Sequence, residues 1–128
     1  MILAITVTRN AILPKTFLEA LSFAAETGNE LHALVMGEAS DPELKRCGLY
    51  GCTRVFHYRG FLPVAGDVPY YAGLIQAFLK DKSYSGIILG ASGLNNSLAP
   101  YLAAKLNAGF VGGTTGYPVS LSDRKSVV

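Results

Sequence analysis

Short apolar, β-branched runs alternate with helical periodicities along most of the chain. Ile2 to Thr8, Leu31 to Met36, Thr53 to Tyr58, Gly86 to Leu89 and Phe110 to Thr115 each read as a strand. Between the first two, Phe17, Leu18, Leu21, Ala24 and Ala25 recur at three- and four-residue steps, and Gly28-Asn29 supplies the stop. Tyr70, Tyr71, Leu74, Ile75, Phe78 and Leu79 repeat that pattern behind Asp67, a capping residue, with Pro69 in the first turn. A shorter helix is expected from Asp41 to about Cys47, with Asp41 as cap and Pro42 as its first helical residue. Strand and helix in strict alternation predict a doubly wound, three-layer α/β/α sandwich around a mostly parallel sheet, with right-handed crossovers. Ligands of such Rossmann-like sheets collect at the carboxyl ends of strands, beside the switch in strand order.

That rule directs attention to the stretch GASGLNNSLAPYLAAKLNAG, residues 90–109, which follows the fourth strand and runs into a helix. Pro100 locates the helix start. With Ser97 as cap, accepting from the Ala99 N–H, Pro100 falls in the first turn, where its missing donor is harmless. Leu98, Leu102 and Leu106, with Ala99 and Ala103, then form a buried stripe. Gly90, Ser92, Gly93, Asn95, Asn96 and Ser97 are the candidate phosphate loop, with Gly90 and Gly93 allowing close backbone approach and positive φ, and with Thr6 to Arg9 expected beside it. The loop lacks the lysine of a P-loop and the full G-x-G-x-x-G fingerprint, so an equal alternative is a plain strand-to-helix turn.

Composition narrows the field. With 128 residues, half of them hydrophobic and 16% charged, the chain suits one folded domain with a real core. A net charge of +2, without basic runs or an aromatic platform, argues against nucleic acid as a partner. No apolar run reaches the length of a membrane span, and the first residues read as a strand with no leader features, so a cytoplasmic protein is expected. Cys47 and Cys52 flank a Gly-Leu-Tyr-Gly turn without a second pair or histidine at zinc spacing, so two reduced thiols are expected and no metal. Gly90-Ala91-Ser92-Gly93-Leu94 departs from a nucleophile elbow at Leu94, and both histidines precede Ser92, against the order of that triad. His32 reads as a satisfied imidazole within a strand and His57 as an exposed one near a strand end. Asp41, Glu43, Asp67 and Asp81 fall at helix caps or ends, where the helix dipole or solvent accounts for them. Tyr50, Tyr58, Tyr70 and Tyr71 are read as packing residues. No active site assembles from these residues.

The segments NAILPKTFLEALSFAAETGNELHALVMG, LYGCTRVFHY and GIILGASGLNNSLAPYLAAKLNAGFVGGTTG, in this order and spacing, resemble the N-terminal domain of the electron transfer flavoprotein alpha subunit. The resemblance covers residues 1–121, a domain incomplete at its C-terminal end, and leaves 122–128 as a tail. It implies an electron carrier rather than an enzyme. In that family alpha pairs with a beta subunit as a heterodimer, FAD is held mainly by a separate C-terminal domain of alpha, and electrons pass from dehydrogenases to an acceptor. The N-terminal domain is implied to be scaffold and subunit contact, binding no FAD alone and open to self-association when isolated. AMP, which many beta subunits bind, is a possible ligand.

Departures from the family pattern are local. Asn95-Asn96-Ser97 stands where a Gly, a basic residue and an acid are usual, Tyr101 where arginine is common, and Gly112-Gly113 where a pair often ends in Asp. The alternative reading is an adenine-nucleotide-binding module, because the expected architecture also resembles universal stress proteins, whose glycine loop grips AMP or ATP phosphates.

Overall fold

β1 (Ile2–Val7) is the element around which the others arrange: its first five residues are buried, and both of its edges are paired. In this computed structural model the structure describes residues 1–63, 67–90, 93–106, 109–110 and 126–127. After β1 come α1 (Lys15–Ala25), β2 (Leu31–Met36), α2 (Asp41–Leu49), β3 (Cys52–Tyr58), α3 (Val68–Leu79), β4 (Gly86–Leu89), α4 (Gly93–Lys105), β5 (Gly109–Phe110) and β6 (Ser126–Val127). The sheet order is β3-β2-β1-β4-β6-β5, and every pairing is parallel. The chain lays β1, β2 and β3 outward in one direction and then returns to place β4 on the other side of β1. The switch in strand order therefore lies between β1 and β4.

Alternation along the strands divides the core into two layers. Leu3 and Ile5 of β1, Leu34 and Met36 of β2, and Ile87 and Leu89 of β4 face Tyr71, Ala72, Ile75 and Leu79 of α3 and Leu98, Ala99, Leu102 and Ala103 of α4. Ile2, Ala4, Ala33, Val35 and Ile88 face the other way, onto Phe17, Leu18, Leu21 and Ala24 of α1 and onto Cys47 of α2. Helices thus cover both faces, as the doubly wound reading expects. Two helix ends form as expected. α3 is capped by Asp67, whose carboxylate accepts from the Tyr70 N–H at 3.2 Å, and the turn after α1 contains Gly28 at φ 77°.

Several details differ from the sequence reading. The cap of α2 is Ser40, not Asp41: the serine hydroxyl accepts from the Glu43 N–H at 3.3 Å, leaving the Asp41 and Glu43 carboxylates in the first turn, where the helix dipole favours them. α4 begins at Gly93, so Ser97 lies inside the helix and is not its cap, and Pro100 is an interior residue. An interior proline costs about 3 kcal/mol, whereas burying each leucine side chain contributes roughly 1.5–3 kcal/mol. With Leu98 and Leu102 fully buried, Ala99 and Ala103 nearly so, and Pro100 on the exposed face, burial outweighs the lost ladder bond. The fifth expected strand is described only at its start, as β5 over Gly109–Phe110; residues 111–115 lie outside the described residues. No hydrophobic pattern announces β6, which nevertheless inserts between β4 and β5.

Gly90 owes its identity to packing. A Cβ there would stand 2.9 Å from the Phe17 N and 3.0 Å from the Phe17 Cα and Thr16 C, all backbone atoms of α1 that cannot swing aside. It does not adopt the positive φ expected of it, whereas Gly28, Gly37 and Gly51 do. At the amino end of the sheet, buried His32 is satisfied from both sides. Its Nε2 lies 2.6 Å from the Glu30 carboxylate and its Nδ1 2.8 Å from the Tyr84 hydroxyl. A carboxylate only accepts, so Nε2 carries a proton, and a neutral ring receives the tyrosine proton at Nδ1. Hydrogen bonds from His32 and then from the Thr53 hydroxyl hold the Glu30 carboxyl below its ordinary pKa.

Two substitutions test this packing. Gly90→Ala is expected to destabilise by about 1–3 kcal/mol in urea denaturation, because α1 must move to admit the methyl group. Tyr84→Phe keeps the ring but strands the buried Nδ1 of His32, and a loss of about 1–3 kcal/mol is expected in the same measurement.

Candidate functional site

Beyond the carboxyl ends of β1, β2 and β3 the connecting segments enclose a cleft of about 720 Å³, within the range of small-ligand sites. Its β1 side is Thr8 and the Arg9–Ile12 turn. Arg9 and Ile12 exchange two backbone hydrogen bonds, of 3.1 and 3.0 Å, and the residues between them, Asn10 and Ala11, both take left-handed φ values of 52° and 62°. This is the primed turn of a tight hairpin. Asparagine tolerates that backbone, while for Ala11 it costs about 1–2 kcal/mol. Both residues line the cleft.

The floor comes from the ends of β2 and β3. Gly37 leaves β2 at φ 110°, a conformation that suits glycine, and a Cβ there would collide with the Thr8 hydroxyl. Its N–H donates to the Tyr58 carbonyl at 3.0 Å, and its carbonyl accepts from His57 Nε2 at 2.6 Å, which fixes the proton on that nitrogen. His57 is therefore half-buried and engaged, not exposed as its position near a strand end suggested. Glu38, Ala39 and Ser40 lead from the floor into α2, whose positive end opens here, and Arg59 brings a guanidinium from the far wall. Arg59 and Asn10 offer donors, and Glu38 offers an acceptor suited to hydroxyl groups.

One carboxylate links the segment after β1 to α2. Glu43 of α2 accepts from the Leu13 N–H at 2.7 Å, anchoring the segment that carries Asn10 and Ala11, and it pairs with Arg46 at 3.0 Å. The Leu13 N–H, and then Arg46, hold its carboxyl below the ordinary value against the opposing effect of burial. Glu43 was read as a helix-end charge explained by the dipole. It does lie in the first turn of α2, but its bond to a backbone donor thirty residues earlier in the chain is tertiary.

The candidate loop stands apart from this cleft. Gly90 sits over the start of α1, Gly93 opens α4, and Asn95, Asn96 and Ser97 belong to its first turns. Ala91 and Ser92 lie outside the described residues, as do the side chains of Asn95 and Asn96. Neither Gly90 nor Ser97 lines the cleft; of the neighbours expected beside the loop, Thr8 does. Asn10, Gly37 and Arg59 were missed. The strand-end rule that singled out the turn after β4 applies equally to the stops after β1, β2 and β3, and Gly37 directly after Met36 was the available signal.

A second feature is apolar. Leu34 and Met36 form the floor of a 230 Å³ notch whose rim is Phe56 and Tyr58 of β3 and Leu74 and Phe78 of α3. Nearby, Phe61 is 70% exposed and meets the Tyr70 ring edge-on at 5.8 Å. Among the described residues no group of three His, Cys, Asp or Glu side chains could hold a metal ion, and no helix is long and apolar enough to cross a membrane.

Because the Glu43 pKa is depressed in the folded chain, its contribution is fully present above the ordinary value near 4.5 and is lost as pH falls through the lower folded value. Glu43→Gln is expected to be less stable than the parent by about 1–2 kcal/mol at neutral pH, with the difference shrinking in acid; urea midpoints measured across pH 3 to 7 check both parts.

Comparison with known proteins places these features in a family. Residues 2–127 match the family model described as the electron transfer flavoprotein domain. The chain is 32% identical over 101 residues to the lactate dehydrogenase (NAD(+),ferredoxin) subunit LctC of Acetobacterium woodii, an alignment covering 76% of this chain and 23% of that subunit. The chain thus spans about a quarter of the length of the relative it matches. A parallel, doubly wound sheet in the order seen here, together with a family match over nearly its whole length, makes this chain a member of the electron transfer flavoprotein domain family.

Proposed function

We propose that this chain is the scaffold and subunit-interaction domain of an electron transfer flavoprotein of the alpha type. In this reading it supports electron flow from dehydrogenases to an acceptor in the cytoplasm, through FAD held elsewhere in the assembly, and performs no chemistry of its own. The observation that carries the proposal is the apolar notch at the β3 edge with exposed Phe61 beside it, a surface suited to a protein partner. The family supplies the partner's class, a beta-type subunit. LctC, named as a subunit of a dehydrogenase working with NAD(+) and ferredoxin, is consistent with a place beside a dehydrogenase.

FAD does not suit the described cleft. Among the described residues no phenyl, phenol or indole ring lines it for the isoalloxazine to lie against. A mononucleotide suits it better, and this favours a second reading, an AMP or ATP site. Arg59 and the positive end of α2 would meet phosphate, and Glu38 ribose hydroxyls. The loop of Gly90, Ser92, Gly93, Asn95, Asn96 and Ser97 is the alternative seat for that phosphate.

Both readings meet in one experiment. The chain is co-expressed with a beta-type family subunit, and complex formation is read by co-purification, with Phe61→Ser as the surface variant. The free chain is titrated with AMP, ATP and FAD by thermal shift. The scaffold reading expects a complex that Phe61→Ser weakens at least tenfold, an effect of about 1.4 kcal/mol. It also expects no shift with FAD, and absence of a complex counts against it. The nucleotide reading expects a midpoint shift of several degrees with AMP or ATP at a hundredfold the dissociation constant, worth about 2.7 kcal/mol. Loss of that shift in Arg59→Ala assigns the phosphate to the cleft, and loss in Gly93→Val assigns it to the loop.

A further inference from the structure

α1 buries Phe17, Leu21 and Ala24 against the sheet and turns a second stripe outward. Lys15, Leu18, Glu19, Ser22, Phe23 and Glu26 make up that stripe, which runs about 16 Å along the helix at 1.5 Å per residue. All six line a groove of about 640 Å³ whose far wall carries Arg46 of α2. Their spacing is palindromic. Turned end for end about the midpoint between Ala20 and Leu21, Lys15 exchanges with Glu26, Leu18 with Phe23 and Glu19 with Ser22. Each exchange matches groups that suit one another: a cation with an anion, two apolar side chains, a carboxylate with a hydroxyl. The charges at the two ends are also of the sign that the helix itself disfavours. Lys15 is the first residue, at the positive end of the helix dipole, and Glu26 caps the negative end. The Lys15 side chain is 90% exposed and reaches Glu19 only at 4.0 Å, while no cation lies within ion-pair reach of Glu26 among the described residues. An antiparallel helix laid across this one supplies the missing partner at each end.

We propose that this face of α1 is a self-association surface whose occupant is a second copy of the same chain, related by a two-fold axis that sets the two α1 helices antiparallel. A two-fold contact presents one patch from both sides, so the patch must complement itself. The palindrome meets that condition. Lys15 of each copy faces Glu26 of the other, Glu19 faces Ser22, and Leu18 and Phe23 form the apolar part of the contact, each pairing occurring twice. Ile12, 57% exposed, borders the same groove and adds apolar area at its end. The two helix dipoles then lie head to tail, and each end finds a charge of the opposite sign on the second copy. The surface lies on the α1 side of the sheet, whereas the apolar notch is built on the α3 side. A dimer formed here therefore leaves the notch open to another subunit and does not depend on the notch's role.

Charge reversal and its rescue test the pairing directly. The full chain is followed by sedimentation velocity over a concentration series, at low and at high salt, as the parent, as Lys15→Glu, as Glu26→Lys and as the double variant. The expected result is a reversible monomer–dimer equilibrium that weakens as salt screens the exposed ion pairs. Each single reversal sets like charges against one another at both symmetry-related positions and should weaken association at least about tenfold. The double variant, which exchanges the two charges, should recover to within about threefold of the parent. Neither reversal endangers the fold, because each places at its helix end the charge that the dipole favours; unchanged circular dichroism checks this. Phe61→Ser, beside the notch on the other side of the sheet, should leave the dimer as tight as the parent's. A chain that stays monomeric at every concentration, a dimer that neither reversal weakens, a double variant no tighter than the singles, or a dimer lost in Phe61→Ser would each overturn the proposal.

Discussion

Everything in this domain is referred to β1. It is hydrogen-bonded along both edges, and its two faces are covered by different pairs of helices. A strand in that position is expected to be apolar, and Ile2-Leu3-Ala4-Ile5 is, while the hydroxyl of the buried Thr6 donates to the Val7 carbonyl at 3.5 Å. Its neighbours follow from chirality. Right-handed crossovers carry α1 and α2 to one face while β2 and β3 extend the sheet, and the return through α3 places α4 and α3 on the other. The switch between β1 and β4 is therefore a consequence of burying one strand on all sides.

The same arrangement determines where a ligand could sit. At the switch itself, the start of α1 lies directly over Gly90, close enough that a methyl group would not fit. One strand further out, the connections after β1, β2 and β3 stand apart, and Asn10, Gly37, Glu38 and Arg59 are left around open volume. Glu43 links two of those connections through the Leu13 N–H. The notch beside β3 has a similar origin. β3 is an edge strand, and although Leu34 and Met36 are buried, Phe56, Tyr58, Leu74 and Phe78 around them are only half-buried.

Much of this was legible from the chain alone. β2 and β4 fall within the expected bounds, β1 and β3 within a residue of them, and α3 forms behind Asp67 as its capping pattern predicts, because strong local periodicity and tertiary burial agree there. The expectations failed where local chemistry offered two solutions. Ser40 and Asp41 can each cap α2, and the helix took the one that leaves two carboxylates in the first turn. Ser97 is a good cap in isolation, but α4 starts four residues earlier, because the burial of Leu98 and Leu102 outweighs an interior proline whose ring faces solvent. The resemblance to the electron transfer flavoprotein family, resting on the order of several unremarkable segments, is upheld at the level of the domain family by the match over residues 2–127.

The sequence by itself determined the alternation of elements, the division of each strand into two buried faces and the doubly wound class, since all three follow from the spacing of apolar side chains. Tertiary structure alone decided which strand ends stand open, that Gly90 serves the packing of α1, and that Glu43 reaches Leu13. Those outcomes depend on distances between segments far apart in the chain or separated by a turn. No local periodicity encodes a distance of that kind.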